Sequence, residues 1–318
     1  MISAAPRSAA DARFRFFGRR ERVKLRVMKT RNDGAETRAN ELPVALTVAG
    51  SDSGGGAGIQ ADLLTFAAHG VFGATAVAAL TAQNPDGVSA VRTVPAAFVR
   101  EQAEQVARFF RIGAAKTGML ANAEIIAAVA DFFAARSEIR LVVDPVMIAT
   151  SGAALIDAEA VATLRERLIP RAALVTPNLD EAETLLGEKF AWRGNADATS
   201  EEIEASAEKL ADALGVPVLL KGGHGAGNDV RDALAFPEKS GAPRRRSRSF
   251  VHARVAGTNT HGSGCTLSAA VAANLASAPE TDAAETLGEA VARAIDYVSR
   301  GIARPLRVAG DRFIAHLR

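Results

Sequence analysis

Cysteine is almost absent from this sequence of 318 residues, in which Cys265 stands alone. A single cysteine cannot form an internal disulfide, so a disulfide-stapled secreted domain is excluded and a reducing, cytoplasmic compartment is expected. Aromatic residues are also scarce, at 5%, whereas apolar residues make up 48%. No apolar run approaches the roughly 18 residues that a membrane-spanning helix requires. These absences together predict a helix-rich globular protein that does not contact a membrane.

Two familiar phosphate-binding patterns are missing as well. The glycines at 54–56 are not followed by the Lys-Ser/Thr pair of a Walker loop, and they lack the spacing of a dinucleotide site. An apolar strand predicted at 46–49 nevertheless runs into these glycines, and a helix is predicted from Ile59, which is the layout of a ligand-binding turn. Asp62 is expected in the first turn of that helix. There it either complements the helix dipole or hydrogen-bonds a polar ligand, and both interpretations stay open.

Positive charge is concentrated at the start of the chain. Of the 38 Lys and Arg and the 36 Asp and Glu, residues 1–42 hold 11 and 5, which leaves 27 and 31 for residues 43–318. The main part is therefore mildly acidic, which removes a global reason to expect nucleic-acid binding. We expect residues 1–42 to be a basic, disordered arm, or an over-extended start with initiation at Met28 or later. Residues 43–318 are predicted to be one domain.

A second basic stretch comprises Arg244, Arg245, Arg246 and Arg248. Basic residues that bind single-stranded nucleic acid are usually interleaved with aromatic residues, and none are found between these arginines. We therefore favour an exposed loop, and no nucleic-acid partner is expected.

The segment TNTHGSGCTLSAA, residues 258–270, carries the clearest chemical signal. Gly262, Ser263 and Gly264 precede a predicted helix, whose first amides lack partners within the helix and whose dipole places positive charge there. These features predict an anion site. Cys265 at the helix start is expected to have a stabilised thiolate and to act as a base or nucleophile. The alternatives are an ordinary turn and a small buried hydrophobic side chain.

Polar residues follow several other predicted strands. Asp144 follows the run 141–143, and it either orients a metal-bound water or caps a turn. Asn178 and Glu181 are spaced as a helix capping box, and the same spacing could hold a hydrated magnesium ion. Lys221 precedes two glycines at a strand end, which suits contact with a phosphate.

The order of predicted elements defines the fold class. Strands are predicted at 74–82, 141–143, 173–176 and 216–220, a strand pair at 232–236 and 250–255, and helices at 98–110, 124–135, 157–168, 199–214 and 283–304. Alternating strands and helices indicate an α/β fold with a doubly wound, mainly parallel sheet and helices on both faces. Right-handed crossovers bring the loops to one edge, where we expect five residues to converge. These are Asp62, Gln83, Asn178, Lys221 and Cys265.

Seven motifs in a fixed order resemble one family. They are AGSDSGGGAGIQADL, ALTAQN, KTGML, VVDPVM, TPNLDEAE, LLKGGH and THGSGCTLSAA. Residues 43–305 are in this way similar to hydroxymethylpyrimidine/phosphomethylpyrimidine kinases, the thiamin-biosynthesis branch of the ribokinase-like superfamily. The resemblance implies ATP-dependent phosphorylation of 4-amino-5-hydroxymethyl-2-methylpyrimidine and then of its monophosphate, with Mg2+ as cofactor, in a homodimer.

The resemblance also assigns roles to individual positions. Those that it places around the pyrimidine are Asp62, Gln83, Gly50, Met119 and Val146. Those that it places in the anion hole are Gly262, Ser263, Gly264 and Cys265, the last where related sugar kinases carry an aspartate base. Those that it places on the ATP side are Lys221, Thr258, Thr260, His261 and Asn178. Asp144 and Glu181 are expected to bind magnesium through water.

Two other functions compete with this one. A pyridoxal kinase would share the fold and the loop chemistry, although Asp62 and Gln83 favour an aminopyrimidine. A non-catalytic pyrimidine-binding regulator could use the same scaffold and bind nucleic acid through the arginines at 244–248. The complete anion-hole segment and Lys221 favour a kinase over such a regulator.

Overall fold

A computed structural model of the chain describes residues 41–147, 156–195, 198–224, 228–238, 246–258, 260–279 and 283–316. The arm predicted at 1–42 lies almost wholly outside these ranges, as do Arg244 and Arg245. The division of the chain at residue 42 therefore stays a prediction.

A single mixed sheet forms the centre of the described domain. Its strands are β1 (Val44–Asp52), β2 (Phe72–Asn84), β3 (Gly87–Thr93), β4 (Ile112–Thr117), β5 (Arg140–Val143), β6 (Leu174–Val175), β7 (Val218–Leu220), β8 (Asp229–Ala235) and β9 (Ser247–Ala253). They lie in the order β3-β2-β1-β4-β5-β6-β7-β8-β9. The six strands from β2 to β7 in this order are parallel, while β3, β8 and β9 pair antiparallel at the two edges. The mainly parallel sheet predicted from the sequence is confirmed.

Helices cover both faces of this sheet. They are α1 (Gly58–Ala68), α2 (Ala96–Phe109), α3 (Ala123–Ala134), α4 (Ala158–Thr163), α5 (Leu179–Leu186), α6 (Ser200–Leu214), α7 (Ser263–Ser277) and α8 (Ala283–Ala303). One hydrophobic core lies between the sheet and α2 to α6, and a second lies between the sheet and α1, α7 and α8. The doubly wound arrangement is thereby confirmed. Among the described residues, none of the helices combines the length and the apolar character that crossing a membrane demands.

Helix α7 is the central element of the second core. The residues 269–273 are completely buried, and four of these five are alanines. Small side chains let the helix axis approach the sheet closely, and a Cβ added at Gly113 of β4 would lie 3.0 Å from the carbonyl oxygen of Ala276. The helix therefore starts close to the strands that it covers, and its N-terminus lies at their carboxyl ends.

Three local elements differ from the sequence-based expectation. Strand β2 continues through Gln83, because it forms an antiparallel hairpin with β3 that the turn signal at Pro85 and Asp86 obscured. Strand β4 was not predicted, because IGAAKT is short and contains a lysine. A hairpin of β10 (Leu306–Val308) and β11 (Asp311–Phe313) follows α8 and was also missed. The strand pair predicted at 232–236 and 250–255 exists as β8 and β9, shifted toward the N-terminus.

We expect removal of one buried hydroxyl to stabilise the fold. Thr117 at the end of β4 is fully buried, and its Oγ1 has no hydrogen-bond partner among the described residues. Thr117→Val replaces an unsatisfied polar group by a methyl group of similar size, and it should raise the free energy of unfolding by about 1 kcal/mol. Urea denaturation measures this change.

The matched control is Thr47→Val in β1. The hydroxyl of Thr47 is equally buried, but it donates to Asp62 at 2.6 Å, so its removal should destabilise the protein. Equal effects of the two substitutions would contradict the assignment of Thr117 as the unsatisfied group.

Candidate active site

One row of polar side chains crosses the sheet, from the middle of β1 to the carboxyl ends of β4, β5, β6 and β7. Side chains alternate between the faces of a strand, and the residue that precedes each member of the row lies in the core on the opposite face. Every member of the row consequently lies on the face that α1 and α7 cover. The row consists of Thr47, Lys116, Asp144, Thr176 and Lys221.

Lys116 and Asp62 form a fully buried ion pair between β4 and α1. The Nζ atom of Lys116 donates to both carboxylate oxygens of Asp62, at 2.8 and 2.9 Å, and neither side chain is exposed. Burial alone would lower the pKa of Lys116, but the adjacent Asp62 charge raises it above its ordinary value, so the lysine stays protonated. Two parallel charge-assisted hydrogen bonds fix the end of β4 against α1.

The expected place of Asp62 in the first turn needs correction, and its expected contact with a ligand stays a prediction. Helix α1 begins at Gly58 and its first turn contains no acidic residue, so Asp62 does not complement the helix N-terminus. Its oxygens accept from Lys116 and Thr47 within the buried layer, rather than facing an open pocket. Asp62 therefore belongs to the buried layer beneath the site and stabilises that layer.

The carboxylate of Asp144, at the centre of the row, accepts three hydrogen bonds. Lys221 donates to its Oδ1 at 2.9 Å and Thr176 at 3.2 Å, while the hydroxyl of Ser268 in α7 donates to its Oδ2 at 3.2 Å. Burial would raise the pKa of Asp144, but Lys221 and Lys116 together hold it below the ordinary value. The site thus contains a carboxylate that stays ionised and that fixes the position of Lys221.

Asn178 and Glu181 form the predicted capping box at the start of α5. The Asn178 side chain accepts from the Glu181 amide at 2.9 Å, and the Glu181 carboxylate accepts from the Asn178 amide at 2.8 Å. The carboxylate of Glu181 is also 4.0 Å from the Nζ of Lys221. Burial, partly offset by Lys221, raises its pKa to about 7. Both groups therefore cap the helix and line the same site as Asp144.

The N-terminus of α7 meets the glycine loop at residues 54–58 through direct backbone contact. Gly262 has a φ of 81°, and a Cβ added to it would lie 1.9 Å from the carbonyl oxygen of Gly56. Only glycine fits this backbone conformation and this separation. The N-cap residue of α7 is Gly262, which has no side chain to cap the helix, and a Cβ at Gly264 would lie 3.2 Å from Nζ of Lys221. Amides of a first helical turn beside a lysine form the kind of site that binds anions.

Cys265 lies in the first turn of α7 and is half-buried. Burial is the main cause that raises the pKa of its thiol, the negative charges of Asp62 and Asp144 raise it further, and Lys116 opposes them. The stabilised thiolate that we expected from the helix start is therefore wrong in direction. At this position the loss of solvent and two carboxylates outweigh the opposing charge of Lys116.

Gln83 and His261 form a second group beside the glycine loop. The Asp52 carboxylate accepts hydrogen bonds from the backbone amides of Gly54, Gly56 and Ala57, which shapes the loop. The Nε2 of His261 lies 3.2 Å from Asp52 Oδ2 and 3.1 Å from Gln83 Nε2. The histidine was expected on the ATP side, but it contacts the residue expected to bind the pyrimidine.

The remaining predicted residues occupy separate places. A Cβ at Gly50 would lie 2.6 Å from the terminal methyl of Met119, so these two residues line one surface. The amide of Val146 donates to the carbonyl of Asp144 at 2.8 Å. The Thr258 hydroxyl donates to the carbonyl of Ile302 at 3.2 Å, which ties it to α8. The exposed Thr260 accepts from the amide of Ser263 through its carbonyl.

Asp144 and Glu181 provide a donor set that fits a hydrated magnesium ion. Within the described ranges, no three or more His, Cys, Asp or Glu side chains cluster as a metal cage. Two buried carboxylates at one site match an ion that keeps several waters and takes its other ligands from phosphates. These oxygens could hold magnesium only together with a phosphorylated ligand.

Acidic residues of α6 neutralise the described end of the arginine-rich loop. Arg246 forms ion pairs with Asp212 at 2.9 Å and with Glu208 at 3.1 Å. The guanidinium of Arg248 lies 4.9 Å above the Phe250 ring. Charges that are paired within the protein contribute little to binding a nucleic-acid backbone.

Sequence reasoning missed three residues that shape the site. They are Lys116, Asp52 and Ser268. A lone cation inside the apolar run that ends at Gly118 could have indicated a buried counter-charge for Lys116, because unpaired buried charges are strongly unfavourable. Nothing in the sequence pattern distinguished Asp52 or Ser268 from other loop and helix residues.

Comparison with known proteins shows which family the chain resembles. Residues 52–314 match the family described as phosphomethylpyrimidine kinase. The chain is 46% identical over 264 residues to the thiamine biosynthesis bifunctional protein ThiED of Geobacter sulfurreducens, which covers 82% of the chain and 50% of that protein. It is 41% identical over 266 residues to a hydroxymethylpyrimidine/phosphomethylpyrimidine kinase of Haemophilus influenzae, which covers 83% of the chain and 92% of that enzyme. The chain thus spans half of the bifunctional relative and nearly all of the other.

Solved structures agree with the fold. An ADP complex of Bacillus subtilis pyridoxal kinase superposes with a TM-score of 0.74 at 31% identity, over 87% of this chain and 98% of that one. A phosphomethylpyrimidine kinase from Clostridium difficile superposes with a TM-score of 0.66 at 35% identity, over 82% of this chain and all of that one. The ribokinase-like fold class predicted from the sequence is confirmed.

The raised pKa of Glu181 predicts a pH dependence of stability. Its value of about 7 in the folded state exceeds the 4.5 of an ordinary glutamate, so the folded state keeps a proton that the unfolded state releases. Glu181 therefore lowers stability as pH rises from about 4.5 to 7, by up to about 3 kcal/mol. Above that range the penalty stays constant. Urea denaturation at a series of pH values measures it.

Glu181→Gln is the matched variant, because glutamine can also complete the capping box. The stability difference between variant and wild type should grow across this pH window in favour of the variant. A difference that does not change with pH would contradict the assignment.

Proposed function

The chain belongs to the phosphomethylpyrimidine kinase family, and from this membership we propose that it is an ATP-dependent kinase of thiamin biosynthesis. Its substrates are 4-amino-5-hydroxymethyl-2-methylpyrimidine, phosphorylated at the hydroxymethyl oxygen, and the resulting monophosphate, phosphorylated to the diphosphate. The observation that carries the proposal is the uncapped start of α7, which lies beside Lys221 and includes Cys265.

Phosphoryl transfer depends mainly on positioning and on stabilisation of charge. The amides of Gly264 and Cys265 and the ammonium group of Lys221 hold the phosphoryl group during transfer. Asp144 fixes Lys221 through their 2.9 Å hydrogen bond and keeps it protonated. On the nucleotide side we also place Asn178, Thr258 and Thr260.

Cys265 contacts the substrate hydroxyl in this mechanism. Because the pKa of its thiol is raised, the cysteine orients the hydroxyl by a hydrogen bond and accepts its proton only after losing its own. The hydroxymethyl oxygen attacks the terminal phosphorus of ATP as the bond to the leaving ADP breaks, and the hydroxyl proton passes to the Cys265 thiolate where the thiol has ionised and otherwise to an oxygen of the transferred phosphoryl group. A loose transition state needs little base assistance, which is compatible with a largely protonated thiol.

Magnesium completes the proposed site. Asp144 and Glu181 would hold the ion through water, and when bound it would neutralise phosphate charge. The raised pKa of Glu181 implies that the site takes up a cation more readily above neutral pH, where this carboxylate is ionised.

Pyridoxal phosphorylation is the second candidate, because the Bacillus subtilis pyridoxal kinase has a closely similar structure. Gly50 and Met119 line the same surface in either case, so ring preference rests on Gln83, whose amide suits an aminopyrimidine. A non-catalytic regulator is disfavoured by the intact anion site and by the paired state of Arg246.

A coupled assay of ADP formation with each ring compound tests these alternatives. We expect turnover with the hydroxymethylpyrimidine and with its monophosphate, and a lower kcat/KM with pyridoxal. Turnover with pyridoxal alone would assign the second function, and binding of pyrimidine without turnover would assign a regulator.

A homodimer is part of the proposal. Phe72 and Phe109 are 46% and 83% exposed, and Phe110 stacks on Phe72 and contacts Phe109. Exposed apolar patches of this kind favour self-association. Phe109→Glu should convert a dimer into a monomer in light scattering, whereas Val308→Glu at another exposed site should not. A dimer that persists in both variants would show that the interface does not depend on Phe109.

We also assign the protein to the cytoplasm. Its free Cys265 at a functional position suits a reducing compartment.

Cys265→Ala should nearly abolish turnover while ATP binding persists. Loss of the group that positions the reacting hydroxyl is expected to lower kcat by at least about 100-fold, since misplacing a reacting atom costs about that much. The coupled assay measures kcat, and calorimetric titration with ATP measures binding.

Cys265→Ser is the matched variant, because a hydroxyl can replace the hydrogen bond but ionises less readily. It should retain more turnover than the alanine variant. Wild-type turnover in Cys265→Ala would remove this residue from the mechanism.

A further inference from the structure

The backbone of Gln83 is fixed, so only its side-chain orientation is variable. Its amide donates to the hydroxyl of Ser53 at 2.8 Å, and that hydroxyl donates back to the Gln83 carbonyl at 2.8 Å. The side chain then extends between Thr81 and His261. One end of its carboxamide lies 3.1 Å from Thr81 Oγ1, and the other end lies 3.1 Å from Nε2 of His261. The oxygen and nitrogen of the carboxamide exchange places on a half-turn, so the neighbours decide which end is which.

One orientation puts the oxygen at Thr81 and the nitrogen at His261. The Thr81 hydroxyl has a single proton, yet it would have to serve both this oxygen and the Ser51 carbonyl at 3.0 Å. At the other end the Gln83 nitrogen would donate to Nε2 of His261. That nitrogen, then unprotonated, would lie 3.2 Å from an oxygen of Asp52, an acceptor facing an acceptor.

The opposite orientation satisfies all four contacts. The Gln83 nitrogen donates to Thr81 Oγ1, which donates its own proton to the Ser51 carbonyl. Nε2 of His261 carries a proton and shares it between the Gln83 oxygen and Asp52 Oδ2. Asp52 can be assigned as a hydrogen-bond acceptor, since its carboxylate already accepts from three backbone amides of the glycine loop.

This orientation decides what Gln83 offers to a ligand. The carboxamide has two N–H donors and two oxygen lone pairs, and the protein uses one of each. One N–H donor and one oxygen lone pair of Gln83 therefore remain for a ligand, and their positions are fixed. An aminopyrimidine presents the complementary pair, a ring nitrogen that accepts and an amino group that donates. Pyridoxal has no such amidine edge.

We propose that His261 is a positioning residue for substrate selection, which holds the Gln83 carboxamide in the orientation that reads an aminopyrimidine. The proposal rests on the proposed function for its substrate. It differs from the assignment of His261 to ATP, because it places the effect of the histidine on the pyrimidine alone.

Two variants of similar size test this role. His261→Met removes the donor, and His261→Gln places an amide nitrogen where Nε2 lies. We expect His261→Met to raise KM for the hydroxymethylpyrimidine about tenfold, the loss of roughly one hydrogen bond, with kcat and KM for ATP changed less than about threefold. The kcat/KM of the His261→Met variant for pyridoxal should also change less than about threefold. His261→Gln should recover most of the affinity.

Thr81→Val removes the partner at the other end of the carboxamide. Because both residues hold one group, their effects on KM for the pyrimidine should be non-additive in a double-mutant cycle. Additive effects would mean that the two residues act separately and would overturn the proposal.

Nitrogen-15 NMR of labelled histidine in the wild-type protein gives a readout independent of turnover. The proposal requires a proton on Nε2 of His261, and a neutral ring protonated only at Nδ1 would overturn it. A rise of KM for ATP in place of KM for the pyrimidine would overturn it as well. If the wild type phosphorylates no pyrimidine, the proposed function fails, and the NMR tautomer alone decides the orientation of Gln83.

Discussion

The pairing of Lys116 with Asp62 is the constraint on which the rest of the site depends. A lysine at the end of a central strand is completely enclosed, and one carboxylate from α1 neutralises it through two short hydrogen bonds. Separating such a pair leaves an uncompensated buried charge, which costs about 3–5 kcal/mol. The pair therefore fixes β4, α1 and the space beneath the first turn of α7, and it determines which charges Cys265 experiences.

Strand periodicity explains why so many polar groups meet at one place. Parallel strands end together, and every second side chain lies on the same face. Asp144, Thr176 and Lys221 each follow the last residue of a strand, so a single register brings them under the N-terminus of α7. The amides of that helix provide partial positive charge and Lys221 provides a full one. A site for phosphate thus follows from the geometry of the sheet, and the glycines at 56 and 262 allow the two loops to approach closely.

Much of this architecture could be predicted from the sequence, since apolar runs and turn residues are local signals. The parallel sheet, the capping box of Asn178 and Glu181, and the convergence of Lys221 with the start of α7 followed from such signals. The partner of a buried group could not be predicted, because it depends on tertiary contacts. Asp62 was placed in a first turn although it pairs with Lys116, and the thiol of Cys265 was assigned the wrong direction of pKa shift for the same reason. The resemblance assigned His261 to the ATP side, which stays a prediction, and the structure places it in contact with Gln83 and Asp52.

The single cysteine also makes the protein suitable for labelling at one defined position. Cys265 is the one thiol in the sequence, and it lies at the first turn of α7 beside the charges of Lys116 and Asp144. A thiol-directed fluorine or fluorescent tag would attach to a single atom of the unaltered chain, with no background cysteines to replace. Such a label would mark the centre of the site, at the place that the substrate hydroxyl takes in the proposed mechanism.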